Sequence, residues 1–209
     1  MKRKSSPGLT ARRRPEISMP RADRTGIPRR KERLRRELRQ LLNAMPVPSR
    51  RRKSLTIVRR LIRTEFFKKA RSIVTYVALP TEVDTRRVIA KALATGKKVC
   101  VPRVSLRART MKTFEIRDME RDLRPGAYGI LEPRKGSREV RGTQFDLILC
   151  PGLGFDRRGR RLGRGAGYFD RFLKAQKRAF KVGLGFREQV VARVPATGDD
   201  VAMDFVIAD

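Results

Sequence analysis

Leucines recur at helical spacing in RKERLRRELRQLLNAM, at Leu34, Leu38, Leu41 and Leu42, shortly after Pro28. Apolar residues three and four apart place a single stripe on a helix, and a proline suits the first turn. The same rhythm returns after Pro48, with Leu55, Ile57, Val58, Leu61 and Ile62, then Phe66 and Phe67. From residue 72 the period changes. SIVTYVAL (72–79) is a β-branched run, which predicts a buried strand. TRRVIAKALAT (85–95) is helical, with Asp84 placed to cap it and Gly96 to stop it. KKVCVPRV (97–104) and MKTFEI (111–116) read as strands, the second partly exposed. PGAYGILEP (125–133) is rich in turn residues, and FDLILCPGL (145–153) is one continuous apolar strand. DRFLKAQKRA (170–179) predicts a helix, and FKVGLGF (180–186) and MDFVIAD (203–209) follow it. Strands alternating with helices predict an α/β domain of three αβα layers around a mostly parallel, Rossmann-like sheet. Ligands of such sheets sit at the carboxyl ends of strands, where loops lead into helices.

Composition changes this picture at the amino end. Residues 1–26 are basic, polar and interrupted by Pro7, Pro15 and Pro20, which predicts a disordered tail ahead of one domain at 27–209. The whole chain of 209 residues carries a net charge of +32. Residues 1–30 account for +8 of it, so the excess also covers the domain. Such a field attracts nucleotides, polyglutamates, nucleic acid and anionic membranes alike, and an arginine bias on solvated surfaces produces the same number. There is no histidine, which excludes a histidine general base, a His-containing triad and a His-ligated metal. Any metal is then a hard ion on oxygen ligands, with Mg²⁺ the natural choice. Cys100 and Cys150 each end an apolar run and read as buried, reduced thiols, consistent with the cytoplasm. No apolar run is long enough to span a bilayer.

The candidate chemistry lies in RRLGRGAGYFDRFL (160–173), between a predicted strand and a predicted helix. Its alternate glycines, Gly163, Gly165 and Gly167, let backbone approach a ligand and take positive φ. A helix starting just beyond them offers free N–H groups to an anion. Arg161 and Arg164 add planar forks that match phosphate oxygens. Asp170 is placed either to cap the helix or to hold a metal ion. The spacing is neither a P-loop nor a full dinucleotide fingerprint, and a soft turn explains the glycines equally well.

Read with its neighbours, PGLGFDRRGRRLGRGAGYFDRFL (151–173) resembles the signature of the 5-formyltetrahydrofolate cyclo-ligase family. Three further stretches match in order: KERLR (31–35), YVALPTEVDT (76–85) and YGILEP (128–133). The resemblance covers roughly residues 29–207. It implies an ATP- and Mg²⁺-dependent closure of 5-formyltetrahydrofolate to 5,10-methenyltetrahydrofolate, through phosphorylation of the formyl oxygen. Position by position, it implies that Lys31 and Arg35 contact ATP phosphates. Arg161, Leu162, Gly163, Arg164, Gly165, Gly167 and Phe169 form the nucleotide loop. Arg164 and Tyr168 act at the reacting group, Glu82 contacts the pterin together with them, and Asp170 and Asp200 hold Mg²⁺. Asp199 stands next to Asp200, so that assignment can shift by one. The expected protein is a monomer that takes 5-formyltetrahydrofolate, polyglutamylated or not, while its tail touches polyanions weakly and no membrane.

The sequence departs from the family pattern at Ala166, commonly lysine, and at Phe169, usually a second tyrosine. Losing a charged phosphate contact costs about 1.5–3 kcal/mol. Arg158, Arg160, Arg164 and Arg171 are the neighbours able to compensate. Two other readings remain compatible with the residues. One is a nucleic-acid-binding protein on a retained cyclo-ligase scaffold, motivated by the charge. The other is a related kinase or ligase for a different anionic substrate.

Overall fold

A computed structural model describes residues 26–105, 110–126, 131–141 and 144–209. The basic tail expected over residues 1–26 therefore lies almost wholly outside the described residues, as do Tyr128, Gly129 and Ile130 of YGILEP. The chain opens with α1 (Ile27–Ala44) and α2 (Val47–Arg63), each with a proline in its first turn, and a short α3 (Glu65–Lys69). The leucine stripe buries Leu38 and Leu42, but Leu41 stays 40% exposed.

β1 (Ser72–Val74) is much shorter than the expected 72–79. The chain leaves the ladder after the Thr75 amide donates to Cys100 and runs on as irregular backbone. α4 (Arg86–Ala94) follows, and the Asp84 carboxylate accepts from the Arg86 amide at 3.0 Å, one position before the cap residue Thr85. Gly96 closes it at φ 70°, with its own amide on Leu93 and the Lys97 amide on Ala92, a Schellman turn.

β2 (Lys98–Ser105) and β3 (Thr110–Ile116) pair antiparallel. A helical turn α5 (Met119–Asp122) leads to β4 (Leu123–Pro125), which pairs with β5 (Leu131–Pro133), so the turn-rich segment is flanked by a two-stranded ribbon. Then come β6 (Glu139–Val140), β7 (Leu147–Cys150), β8 (Gly154–Asp156), β9 (Arg161–Leu162) and α6 (Tyr168–Ala175). β10 (Phe180–Leu184), β11 (Val190–Val191) and β12 (Phe205–Ile207) complete the order. Two expectations are corrected. FDLILCPGL is not one strand: it breaks at Pro151, which has no N–H for a ladder, and pairing resumes in the separate sheet β11-β8-β9. α6 begins two residues earlier than 170 and ends four before 179.

The main sheet has the order β12-β10-β7-β1-β2-β3-β6, and its first five strands are parallel. Period-two alternation divides the core between its faces. Ile73, Val99, Val101, Leu147 and Leu149 join Leu38, Leu42, Ile57, Leu61 and Ile89 under α1, α2 and α4. Val74, Cys100, Ile148 and Cys150 join Leu173 under α6. This is the expected three-layer α/β arrangement. Chain order along the parallel strands reverses between β1 and β7, and their carboxyl ends leave a crevice there.

Both cysteines are free and buried, and burial pushes each thiol up to about 12. At pH 8 the thiolate fraction is then about one in ten thousand. A thiol reagent at pH 8 should modify neither cysteine in the native protein and both after unfolding. No helix among the described residues is long and apolar enough to cross a membrane.

Candidate active site

Two cavities open at the β1/β7 crevice and share a wall. The first, about 340 Å³, is a cationic basin lined by Lys31, Arg35, Arg161, Arg171 and Lys174 together with Asp170, Asp199 and Asp200. The second, about 400 Å³, has apolar walls from Val77, Leu79, Val104, Leu131 and Phe169, with Tyr168 at its side. Arg161, Gly163, Gly167 and Asp170 line both. The glycine loop is the partition.

The loop is held from behind by α1. Arg35 donates through Nε to the Gly163 carbonyl at 3.0 Å, and Arg39 donates to the Arg164 carbonyl at 3.1 Å. Residues 35 and 39 are one helical turn apart, so a single helix face grips two loop residues. Gly165 takes φ 121° and Gly167 takes φ 68°, the second being the residue from which α6 starts. A side chain in those conformations is strained, which explains why the loop needs glycine there. The cap position of α6 is Gly167, and Asp170 stands in the first turn of the helix.

The Asp170 carboxylate meets Arg161, 2.8 Å from its guanidinium. The Arg161 side chain is only 3% exposed and also donates to the Pro151 carbonyl at 3.1 Å. Its Nε–H is buried without a hydrogen-bond partner. An arginine fixed at two points on a wall between two cavities places a fixed positive charge where both can feel it.

Lys31 reaches across to Asp200, at 2.6 Å from both carboxylate oxygens. Burial alone would raise the Asp200 carboxyl, but the Lys31 ammonium and the Thr197 amide outweigh it and hold it below the ordinary value of 3.8. The pair therefore persists at neutral pH and is lost only as pH falls through that lowered value. Asp199 also stands on the basin rim, but its side chain is 91% exposed and pairs with Lys174. Of the two neighbours, Asp200 is the one turned toward Lys31.

On the other side, Arg164 donates from Nε and from its terminal nitrogen to Glu82 Oε1, at 3.1 and 3.0 Å. Glu82 also accepts the Leu79 amide at 3.0 Å, which anchors the 79–82 turn beyond β1. Arg164 lines the apolar cavity and not the basin.

Every residue expected from the sequence lines one cavity or the other. Lys31, Arg35, Leu162, Gly165 and Asp200 face the basin, and Glu82, Arg164, Tyr168 and Phe169 face the apolar cavity. Arg161, Gly163, Gly167 and Asp170 face both. Ala166 lines the apolar cavity, and among its arginine neighbours Arg171 is the one on the basin wall. Arg171 also donates to the Ala166 carbonyl at 3.2 Å. Sequence reasoning missed Arg39 and Glu132. Arg39 is signalled only by its four-residue spacing from Arg35, and Glu132 only by its place in YGILEP.

A family model described as the 5-formyltetrahydrofolate cyclo-ligase family matches residues 28–209. The mouse 5-formyltetrahydrofolate cyclo-ligase is 31% identical over 184 residues, covering 83% of this chain and 91% of that one. The Arabidopsis thaliana protein named 5-formyltetrahydrofolate cyclo-ligase, mitochondrial, is 30% identical over 83% of this chain and 72% of its own length. Among solved structures, the Aquifex aeolicus 5,10-methenyltetrahydrofolate synthetase superposes with a TM-score of 0.74 at 30% identity, covering 85% of this chain and 89% of that one. With the signature loop walling two cavities and the match running through the whole described domain, this chain belongs to the 5-formyltetrahydrofolate cyclo-ligase family of enzymes.

Proposed function

We propose that this enzyme closes 5-formyltetrahydrofolate to 5,10-methenyltetrahydrofolate, consuming ATP with Mg²⁺ and releasing ADP and phosphate. One observation carries the reading: a cationic basin and an apolar cavity meet at a shared wall that contains a buried arginine. A phosphoryl group passing between two bound substrates needs that geometry.

The donor set fits both implied groups. The basin supplies Lys31, Arg35 and Arg171 for the polyphosphate, and Arg161 stands where the terminal phosphate meets the neighbouring cavity. Of the three basin carboxylates Asp199 is held by Lys174 at the exposed rim, which leaves Asp170 and Asp200 as the pair to hold Mg²⁺, an ion that commonly takes one or two carboxylates plus phosphate oxygens. Bound there, the metal would neutralise phosphate charge. The apolar cavity takes the folate, with Glu82 accepting hydrogen bonds from the pterin's guanidine-like edge and Tyr168 beside the formyl group.

In the reaction the formyl oxygen takes the γ-phosphoryl group. N10 then forms a bond to the formyl carbon and loses its proton, which departs with the phosphate as that group leaves with the electrons of the C–O bond. Neither step needs a protein nucleophile, so the absence of histidine is no obstacle. The chain's own residues position and neutralise: α1 fixes the loop, Arg161 and Arg164 offset charge, and the apolar walls exclude water. Arg171 supplies basin charge beside Ala166. The protein acts as a monomer in the reducing cytoplasm.

Purified protein mixed with 5-formyltetrahydrofolate and MgATP should develop the methenyl chromophore, and omission of ATP should abolish it. Removing residues 1–26 should leave the rate within about twofold, because among the described residues the cavity lining begins at Lys31. No product from correctly folded protein at high enzyme concentration would overturn the reading.

A further inference from the structure

The apolar cavity carries a second carboxylate besides Glu82. Glu132, in the middle of β5, lines the cavity together with its neighbour Leu131. Its carboxylate makes no hydrogen bond or ion pair with any described residue. Glu82, by contrast, is already bound by Arg164 and by the Leu79 amide. A partly buried carboxylate left without a partner beside an apolar wall costs free energy, which a donor on a bound ligand would recover.

The chain also makes room for that carboxylate. In the ribbon Glu132 pairs with Arg124 and Leu131 pairs with Pro125, and Gly126 follows directly after Pro125. A Cβ built on Gly126 would lie 2.4 Å from Glu132 Cδ and 2.5 Å from Oε2. Any residue but glycine at 126 would displace the carboxylate from its place at the cavity. Three observations converge: the cavity position, the absence of a partner among the described residues, and the space kept at Gly126.

We infer that Glu132 is a folate-binding residue that accepts hydrogen bonds from ring N–H groups of the substrate, so that two carboxylates, Glu82 and Glu132, recognise its donor-rich bicycle. This rests on the proposed cyclisation. The apolar walls hold the ring faces, and a carboxylate is an acceptor for ring N–H groups and repels competing anionic edges. Nucleotide in the adjoining basin does not meet Glu132, because the residue is absent from the basin lining. The effect of removing it should therefore fall on one substrate.

Two variants test the inference in the full-length protein, Glu132→Gln and Gly126→Ala. The first keeps the shape and removes the charge. The second keeps the charge and pushes it aside. Each should raise KM for 5-formyltetrahydrofolate about tenfold, the effect of weakening a hydrogen bond to a charged group. KM for ATP should stay within about twofold and kcat should change little. Direct titration with 5-formyltetrahydrofolate in the absence of ATP should show the same loss of affinity. The double variant should be no worse than the worse single one, because both act on one carboxylate. Unchanged folate KM in both variants, with the wild type active, overturns the role of Glu132 and leaves the cyclisation standing. An equal rise in both KM values assigns the residue to folding and also overturns it. A wild type that neither binds nor converts 5-formyltetrahydrofolate overturns both conclusions.

Discussion

Asp170→Asn should lower the rate of methenyl formation by about a hundredfold and raise the Mg²⁺ concentration needed for half-maximal rate. Asp170 lines both cavities, stands in the first turn of α6 and faces the buried guanidinium of Arg161 at 2.8 Å. The asparagine preserves the shape and one oxygen acceptor, so the hydrogen bond to Arg161 can survive. What disappears is the negative charge. Arg161 is then an uncompensated cation at the partition, and one of the two carboxylates offered to the metal is gone. The stability cost should be modest, about 1–2 kcal/mol, because the bond is weakened and not removed. That corresponds to a fall in Tm of about 3–6 °C. A rate loss that added Mg²⁺ partly recovers would support the metal role. A variant that unfolds broadly, or that keeps full rate at every Mg²⁺ concentration, would reject it.

The second large effect lies away from the cavities. Gly159→Ala should cost about 3 kcal/mol and lower Tm by about 6–12 °C. Gly159 has φ 74°, and a Cβ there would lie 2.2 Å from the Met203 carbonyl oxygen. That neighbour is backbone and cannot swing aside. The carbonyl of Gly159 also accepts the Met203 amide at 2.7 Å, so the turn and the 203 segment are braced against each other. Asp156 fixes the same turn from beneath, accepting the Arg158, Arg160 and Val194 amides. The strained dihedral contributes about 1–2 kcal/mol and the disrupted hydrogen bond about 1 kcal/mol more. The segment leading to Met203 carries Asp200, so the damage should reach the basin. Thermal unfolding followed by circular dichroism reads the first effect, and a raised KM for ATP in the folded fraction reads the second. An unshifted Tm would contradict the brace.

Much of the architecture was legible in the chain. Periodicity located α1, α2 and α4 and the cores of β2, β3 and β7, since burial on one face imposes a period of 3.6 or 2 on the sequence. Gly96 marked a helix end because its positive φ is a local requirement. The loop glycines were legible for the same reason. Boundaries were less so. β1 stops at Val74 although the apolar run continues, because its neighbours stop pairing with it and the following residues turn into the cavity wall. The break at Pro151 follows from a missing N–H, but that another sheet takes over beyond it does not.

Which residues meet was not encoded in any local pattern. Glu82 and Arg164 are separated by 82 positions, and Lys31 and Asp200 by 169. Their contacts exist because the sheet order sets β1 beside β7 and brings α1 against the loop that precedes α6. The chain has 53 lysines and arginines, and nothing in their spacing separates those on the basin from those in solvent. The sequence by itself determined the layers, the glycine loop and the absence of histidine chemistry, because each depends on residue type or short-range periodicity. The tertiary structure alone decided that the loop divides two cavities, that Arg161 is the buried charge between them, and that Glu132 stands at one with no partner among the described residues. Those facts depend on long-range packing, where side chains distant in sequence are forced to share one desolvated space.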